Sequence, residues 1–330
     1  MKAFISHYTA LRYWREYFPL DSELGLPTRV SGTEKCASCK IDVFGSIPEG
    51  FADAERPADV LIFNEGERRQ SRSVKCYAWK TVLPSNAFFN ARGMYVSSPE
   101  FVFVQMANEL TVAQLVALGC ELCGTYVLLP KGVTHPGALD ELPKRISPLT
   151  SVSKLSTFVE ALGKANGKTK AKRALKYVVD GSRSPMETML YMLLCLPPLL
   201  GGYGIPQPVM NAEIELDDEA RAMALRHTCY GDLCWPDARP PLDIEYHGEV
   251  HVGSAHMKSD VGRELAIEHM GWRVVTITSP QVFDPERFDT VARDIASAVR
   301  KRLSSPSPKD LLNREALRHE LKQWMFDAPR

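Results

Sequence analysis

The residues best placed to do chemistry are two carboxylates in neighbouring stretches of alternating apolar and polar residues. In Leu242–His247 (LDIEYH), the alternation puts Glu245 on the polar face of a strand, and in Gly231–Trp235 (GDLCW) it does the same for Asp232. The turn-rich PDARPP between the two stretches predicts an antiparallel hairpin, which places both carboxylates side by side at a sheet edge. Mg²⁺ and Mn²⁺ take carboxylate oxygens together with water and a substrate phosphate. The pattern therefore predicts a site for a hard divalent cation.

A third carboxylate and two histidines accompany this pair. Ser184 and Pro185 predict the start of a helix, with Glu187 at the third position after the cap. Glu187 is therefore either a capping-box residue or a third metal ligand. His247 and His251 are either a general base and an assisting group or loop histidines without a role.

The elements that position these residues follow the order helix, strand, strand, strand, helix, strand. The order and the motifs resemble the PD-(D/E)XK nuclease superfamily, and more narrowly the very-short-patch-repair-endonuclease-like domains of uncharacterised bacterial proteins. The resemblance covers about the last 40 per cent of the chain. The matching stretches are SPMET (Glu187), GIPQP, GDLCWP (Asp232), IEYHG (Glu245, His247, Gly248), His251, SDVGRE (Asp260, Arg263) and GWRVVTI.

The resemblance implies an α/β fold, with a restriction-endonuclease-like three-layer domain and a central mixed sheet over residues 184–303. It also implies a Mg²⁺- or Mn²⁺-dependent DNA endonuclease or nicking enzyme. The metal would be held by Glu187, Asp232 and Glu245, and Arg263 would orient a carboxylate or a phosphate. Two departures are His247 in place of the family's lysine and an insertion at Ala212–Thr228. A non-catalytic DNA-binding regulator on the same scaffold is therefore the alternative.

Residues 1–135 are expected to form an N-terminal α/β domain. ADVLIF, VKCYAW and GMYVSS predict strands, and PEFVFVQMANEL and TVAQLVAL predict helices. The stretches SPEFVFVQMA and LGCELCGTYVL resemble bacterial proteins in which an abortive-infection AbiEi-type antitoxin region precedes a nuclease-like domain. That resemblance implies a toxin or another protein as a partner.

Residues 136–183 are expected to form a linker and basic helices, and residues 304–330 a C-terminal helix that packs on the body or on a second copy. The basic segment is either a solvated helix face or an arm that contacts DNA phosphates. Its candidate contacts are Lys168, Lys170, Lys172, Arg173 and Lys176.

Two CxxC pairs could hold a structural zinc ion through Cys36, Cys39, Cys120 and Cys123. Such pairs usually follow each other within about 20 residues, a much shorter separation than here. A buried free thiol is the other interpretation of Cys123. A zinc-stapled domain that recruits a partner is therefore a third functional hypothesis.

Bulk composition restricts the function only weakly. Lys and Arg together number 40, as do Asp and Glu, so any surface for nucleic acid must be local. The N-terminal residues lack a basic-then-apolar leader, and no apolar run reaches the roughly 18 residues that span a bilayer. We therefore expect a cytoplasmic protein with mostly reduced cysteines. Neither GxxxxGK[ST] nor GxGxxG is present to indicate nucleotide chemistry.

Overall fold

The computed structural model describes residues 3–18, 27–30, 47, 56–68, 72–128, 147–248 and 254–327, leaving aside the side chains of residues 67, 254–261 and 327. The chain divides into two compact units. The first comprises Met1–Val178 with Phe326–Arg330, and the second comprises Val179–Met325. Each unit has a mixed β-sheet and helices, which confirms the predicted α/β class with a central mixed sheet.

The first unit is built on a sheet with the strand order β2-β5-β6-β1-β3-β4. The pairs β1–β6 and β3–β4 are parallel, and the other neighbouring pairs are antiparallel. The strands are β1 (Phe4–Ile5), β2 (Thr28–Arg29), β3 (Ala58–Ile62), β4 (Val74–Ala78), β5 (Phe88–Ala91) and β6 (Met94–Ser97). The helices are α1 (His7–Arg12, continued by a π-helical segment Tyr13–Tyr17), a 3₁₀ turn (Glu65–Glu67), α2 (Pro99–Met106), α3 (Val112–Leu122), α4 (Val152–Ala161) and α5 (Lys168–Leu175).

The basic helices belong to this first unit. Helix α4 packs on α2, and α5 packs on both α3 and α4. The ring of Phe158 on α4 lies 5.8 Å from that of Phe101 on α2. A Cβ built at Gly119 on α3 would lie 2.5 Å from Val178, so glycine is needed for this close approach. The boundary between the units therefore falls after Val178, because the core of the first unit includes the segment that precedes it.

The second unit is built on a sheet with the strand order β10-β9-β8-β7, in which β9 and β10 are parallel and the other pairs are antiparallel. Its strands are β7 (Val209–Glu215), β8 (Thr228–Trp235), β9 (Leu242–His247) and β10 (Arg273–Thr278). Its helices are α6 (Pro185–Cys195), a 3₁₀ turn (Pro198–Leu200), α7 (Asp218–Ala224), α8 (Ser254–His269), α9 (Ser279–Phe283), α10 (Pro285–Ala298) and α11 (Pro308–Lys322, continued by a π-helical segment Gln323–Asp327).

The order α6-β7-β8-β9-α8-β10 matches the order expected from the sequence. The insertion at Ala212–Thr228 extends β7 and forms α7, which contacts α8. Buried Ala266 and Ile267 of α8 pack with Ile214 of β7 and Cys229 of β8 in one apolar cluster. This packing holds α8 against the sheet that carries the candidate carboxylates.

Within the described part of the chain, no helix combines the length and apolar character needed to cross a bilayer.

Candidate functional site

The predicted hairpin brings Asp232 next to strand β9. The antiparallel register pairs Trp235 with Leu242 and Leu233 with Ile244. Asp232 lies one residue before Leu233 on β8, and its side chain contacts β9 directly. Its Oδ2 accepts a hydrogen bond from the backbone N of Tyr246 at 3.0 Å. Asp232 as a residue is half-buried.

Glu245 is held by an arginine from helix α8. Nη1 of Arg263 donates to Glu245 Oε1 at 2.8 Å, and Nη2 donates to Oε2 at 2.7 Å. Nη1 also donates to the backbone oxygen of Tyr230 at 2.8 Å, which ties α8 to strand β8. His247 is half-buried and lines one small cleft together with Glu245 and Arg263. Arg263, which the sequence assigned to a carboxylate or a phosphate, is therefore bound to a carboxylate.

Glu187 both stabilises the start of helix α6 and contacts strand β7. Its backbone N donates to Ser184 Oγ at 3.1 Å, as expected for a capping residue. Its Oε2 accepts from the backbone N of Arg183 at 2.8 Å and from Asn211 Nδ2 at 2.5 Å. The Glu187 carboxyl therefore binds the residue before the N-cap and strand β7, and does not accept the hydrogen bond from the Ser184 backbone that a capping box requires.

Two site residues were not predicted from the sequence. Asp243 is fully buried; its Oδ1 accepts a hydrogen bond from Cys234 Sγ at 3.4 Å, and its Oδ2 has no partner among the described residues. A Cβ built at Gly231 would lie 2.5 Å from the Asp243 carboxyl group, so only glycine leaves room for it. Asn211 adopts a φ of +49° while holding Glu187, a backbone conformation that is unusual outside glycine and occurs at functional sites.

Alternation in LDIEYH already puts Asp243 on the face of Glu245, and this was the available signal for it. No sequence signal identified Asn211, because its contact with Glu187 depends on how strand β7 packs against helix α6.

Burial raises the pKa values of three carboxyl groups in this part of the sheet. Burial raises the pKa of Asp232 to about 8, and the negative charges of Glu245 and Glu187 contribute to the increase. Burial also raises the pKa of Asp243 to about 9, with further contributions from Glu245 and Asp232. The pKa of Glu187 is raised by burial as well. Carboxyls on α6, β8 and β9 therefore interact electrostatically in one place, which we call the acidic cluster (Glu187, Asp232, Asp243 and Glu245).

The donor chemistry of the acidic cluster fits a hard cation. Its side chains offer carboxylate oxygens, the ligands of Mg²⁺ and Mn²⁺, and Asp243 Oδ2 is a buried oxygen without a hydrogen-bond partner among the described residues. No three His, Cys, Asp or Glu side chains of the described residues already surround a common metal position. Binding would therefore require the carboxyls to lose protons and to rearrange.

The predicted DNA contacts on α5 lie in the first unit, where several of them bind other parts of that unit. Lys168 Nζ donates to the backbone oxygens of Glu160 and Leu162, and Lys170 Nζ donates to that of Leu110 at 2.9 Å. Lys172 forms an ion pair with Glu160 at 2.8 Å. Arg173 and Lys176 are exposed.

Other predicted residues cannot be placed in a common site. Cys36, Cys39 and His251 lie outside the described residues, and so does the side chain of Asp260. Cys120 is buried within α3 and Cys123 is buried at its C-terminal cap. Structural zinc therefore stays a prediction.

Comparison with known proteins adds no further constraint, because no protein-family model, curated protein or solved structure matches this chain.

Proposed function

We propose that residues Val179–Met325 form a divalent-metal-dependent nuclease domain of the PD-(D/E)XK type, which nicks or cleaves DNA in the cytoplasm. The observation that carries the proposal is the acidic cluster, in which burial raises the pKa values of Glu187, Asp232 and Asp243, and neighbouring carboxylates raise those of Asp232 and Asp243 further. Strongly perturbed carboxyl groups that meet in a partly open site are characteristic of functional sites. The element order α6-β7-β8-β9-α8-β10 around a mixed sheet supports the same proposal.

Asp232 and Glu245 would hold Mg²⁺ or Mn²⁺, with Glu187 as the third carboxylate. Asp232 is the most accessible of the three, since it is half-buried whereas Glu187 and Glu245 are buried. When bound, the cation would polarise the phosphodiester and lower the pKa of an attacking water. Arg263 fixes the direction of the Glu245 carboxylate through two hydrogen bonds, and Asn211 does the same for Glu187.

His247 would accept the proton of the attacking water. It follows Glu245 by two residues on the same strand, and both side chains line the cleft that Arg263 closes on one side. Neutral imidazole is an effective base near neutral pH, so it can take the role that lysine has in the resembled family. His247→Ala should then reduce cleavage while leaving Mn²⁺ affinity nearly unchanged.

The direct test is Mn²⁺ titration by calorimetry together with plasmid nicking. We expect wild-type protein to bind Mn²⁺ and to nick, and Asp232→Asn to lose both activities. Asp237→Asn is the matched control, because Asp237 is an exposed carboxylate in the turn that follows the same strand. Metal-dependent nicking by Asp232→Asn at the wild-type rate would refute the catalytic assignment.

A second candidate is a non-catalytic DNA-binding regulator that uses the same scaffold. The observation that favours it is the bidentate ion pair, in which both oxygens of Glu245 already accept hydrogen bonds from Arg263. Sequence-specific DNA binding in EDTA, with no cleavage in Mg²⁺ or Mn²⁺, would support this candidate. Arg263→Gln is a further test. If the protein is a nuclease and the ion pair keeps Glu245 from the metal, this variant should bind Mn²⁺ more tightly than the wild-type protein.

A further inference from the structure

An exposed cation–aromatic pair lies beside the acidic cluster. The guanidinium carbon of Arg183 lies 4.3 Å from the centroid of the Tyr230 ring. Arg183 is exposed, and Tyr230 is 38 % exposed although it belongs to a sheet strand. Part of the aromatic surface therefore remains open to solvent while Arg183 covers another part. We call Arg183 and Tyr230 the stacking platform.

Each member of the stacking platform forms a backbone hydrogen bond, either to the acidic cluster or to the arginine that binds it. The backbone N of Arg183 donates to Glu187 Oε2 at 2.8 Å. The backbone oxygen of Tyr230 accepts from Arg263, the same guanidinium group that holds Glu245. These hydrogen bonds tie the backbone of each platform residue to the acidic cluster or to the arginine that binds it.

Tyr230 also precedes Asp232 by two residues on strand β8. Residues two apart on a strand have Cα atoms about 7 Å apart. The backbone of Tyr230 therefore lies about one nucleotide unit from that of Asp232, the residue proposed to bind the metal. Exposed aromatic rings next to cations are the usual elements that bind unpaired bases, because every base can stack on them.

We propose that the stacking platform binds an unpaired nucleobase next to the scissile phosphate, so that the preferred substrate is a single-stranded or locally opened DNA segment. The base would stack on the open part of the Tyr230 ring, with Arg183 beside it. Bases within an intact duplex already stack on their neighbours and cannot reach the ring. The inference rests on the proposed function for the nature of its substrate.

The charges around the platform indicate that stacking, and not charge attraction, would dominate the contact. Glu213 on β7 is exposed and pairs with Tyr230 in the register of the sheet, so an acidic residue neighbours Tyr230 on the adjacent strand. We therefore expect the contribution of Tyr230 to depend little on salt, in contrast to a phosphate contact. Glu213→Gln should strengthen binding, because it removes a charge that repels the DNA backbone.

The test measures binding without cleavage. The full-length chain carrying Asp232→Asn is titrated in EDTA with a fluorescein-labelled DNA strand, with a strand of the same length that carries abasic sites, and with a duplex. We expect the base-bearing strand to bind about 10-fold more tightly than the abasic strand. Tyr230→Ala should abolish this difference and Tyr230→Phe should retain it.

Equal affinity for the base-bearing and abasic strands, or no binding to either, would overturn the stacking platform even before Tyr230 is substituted. An unchanged preference in Tyr230→Ala would overturn it as well. Mn²⁺ titration of the wild-type protein separates this outcome from failure of the proposed function. A base-dependent preference without Mn²⁺ binding refutes the metal site and leaves the platform, whereas Mn²⁺ binding without that preference refutes only the platform.

Discussion

Binding of a divalent cation to the acidic cluster should release protons in an amount set by the raised pKa values. Asp232 has a pKa of about 8 and Asp243 one of about 9. At pH 7, about nine tenths of the Asp232 population and nearly all of Asp243 are therefore protonated. A cation that requires both groups ionised displaces about two protons at pH 7, and one that requires only Asp232 displaces about one.

The same arithmetic predicts how the release depends on pH. At pH 9, about a tenth of Asp232 and about half of Asp243 remain protonated, so fewer than one proton is released. The apparent affinity for Mn²⁺ should accordingly increase about 10- to 100-fold per pH unit near pH 7 and level off above pH 9. Calorimetric titrations in two buffers with different ionisation enthalpies give the number of protons directly.

The stability of the protein should follow the same groups. Carboxyls whose pKa is raised on folding contribute stability below their unfolded value of 3.8, and this contribution is lost as the pH rises through about 8 to 9. Mn²⁺ binds the ionised carboxyls, so its effect on the melting temperature should grow from pH 6 to pH 9. Tight Mn²⁺ binding at pH 7 without proton release would refute the argument that these buried carboxyls are its ligands.

Three further predictions concern single substitutions. Gly231→Ala forces a Cβ against the Asp243 carboxyl group and should destabilise the protein by about 1–3 kcal/mol in urea unfolding, with weaker Mn²⁺ binding. Arg263→Gln leaves the buried Glu245 without its ion pair and should cost about 3 kcal/mol in the same assay, part of which saturating Mn²⁺ restores. Burial raises the pKa of Asp59 in the first unit to about 6, so the stability it contributes below 3.8 is lost as the pH rises through about 6. Asp59→Asn should therefore raise the melting temperature measured by calorimetry at pH 8 and not at pH 4.

Each of these predictions has a control or a contrary outcome. Gly163→Ala is the control for Gly231→Ala, because a Cβ at Gly163 meets no atom within 4 Å. Unchanged stability in Arg263→Gln would show that Glu245 is protonated or solvated and needs no cation. A lower melting temperature for Asp59→Asn at pH 8 would mean that the hydrogen bonds of the carboxylate outweigh its burial.

Local sequence patterns predicted the elements of the site and three of its four carboxylates. Alternation identified the strands of the hairpin, and the Ser-Pro starts identified helices α2 and α6. The α/β class was predictable for the same reason, since periodicity and caps are properties of neighbouring residues, whereas the mixed sheet was expected from the family resemblance. Asp232 and Glu245 could be paired because a short turn restricts how two strands can meet.

The tertiary structure alone decided which groups touch these carboxylates. Glu245 pairs with Arg263, Glu187 with Asn211, and the Asp243 carboxyl lies against Gly231. These contacts depend on how α8 packs on the sheet, on the conformation of β7 and on the fit between strands. The spacing of residues along the sequence does not encode any of these three features of the packing. Burial decided the pKa values as well, because a carboxylate loses its solvation only when the second unit closes around it. The sequence therefore determined which residues are available for chemistry, and the packing determined their charge and their neighbours.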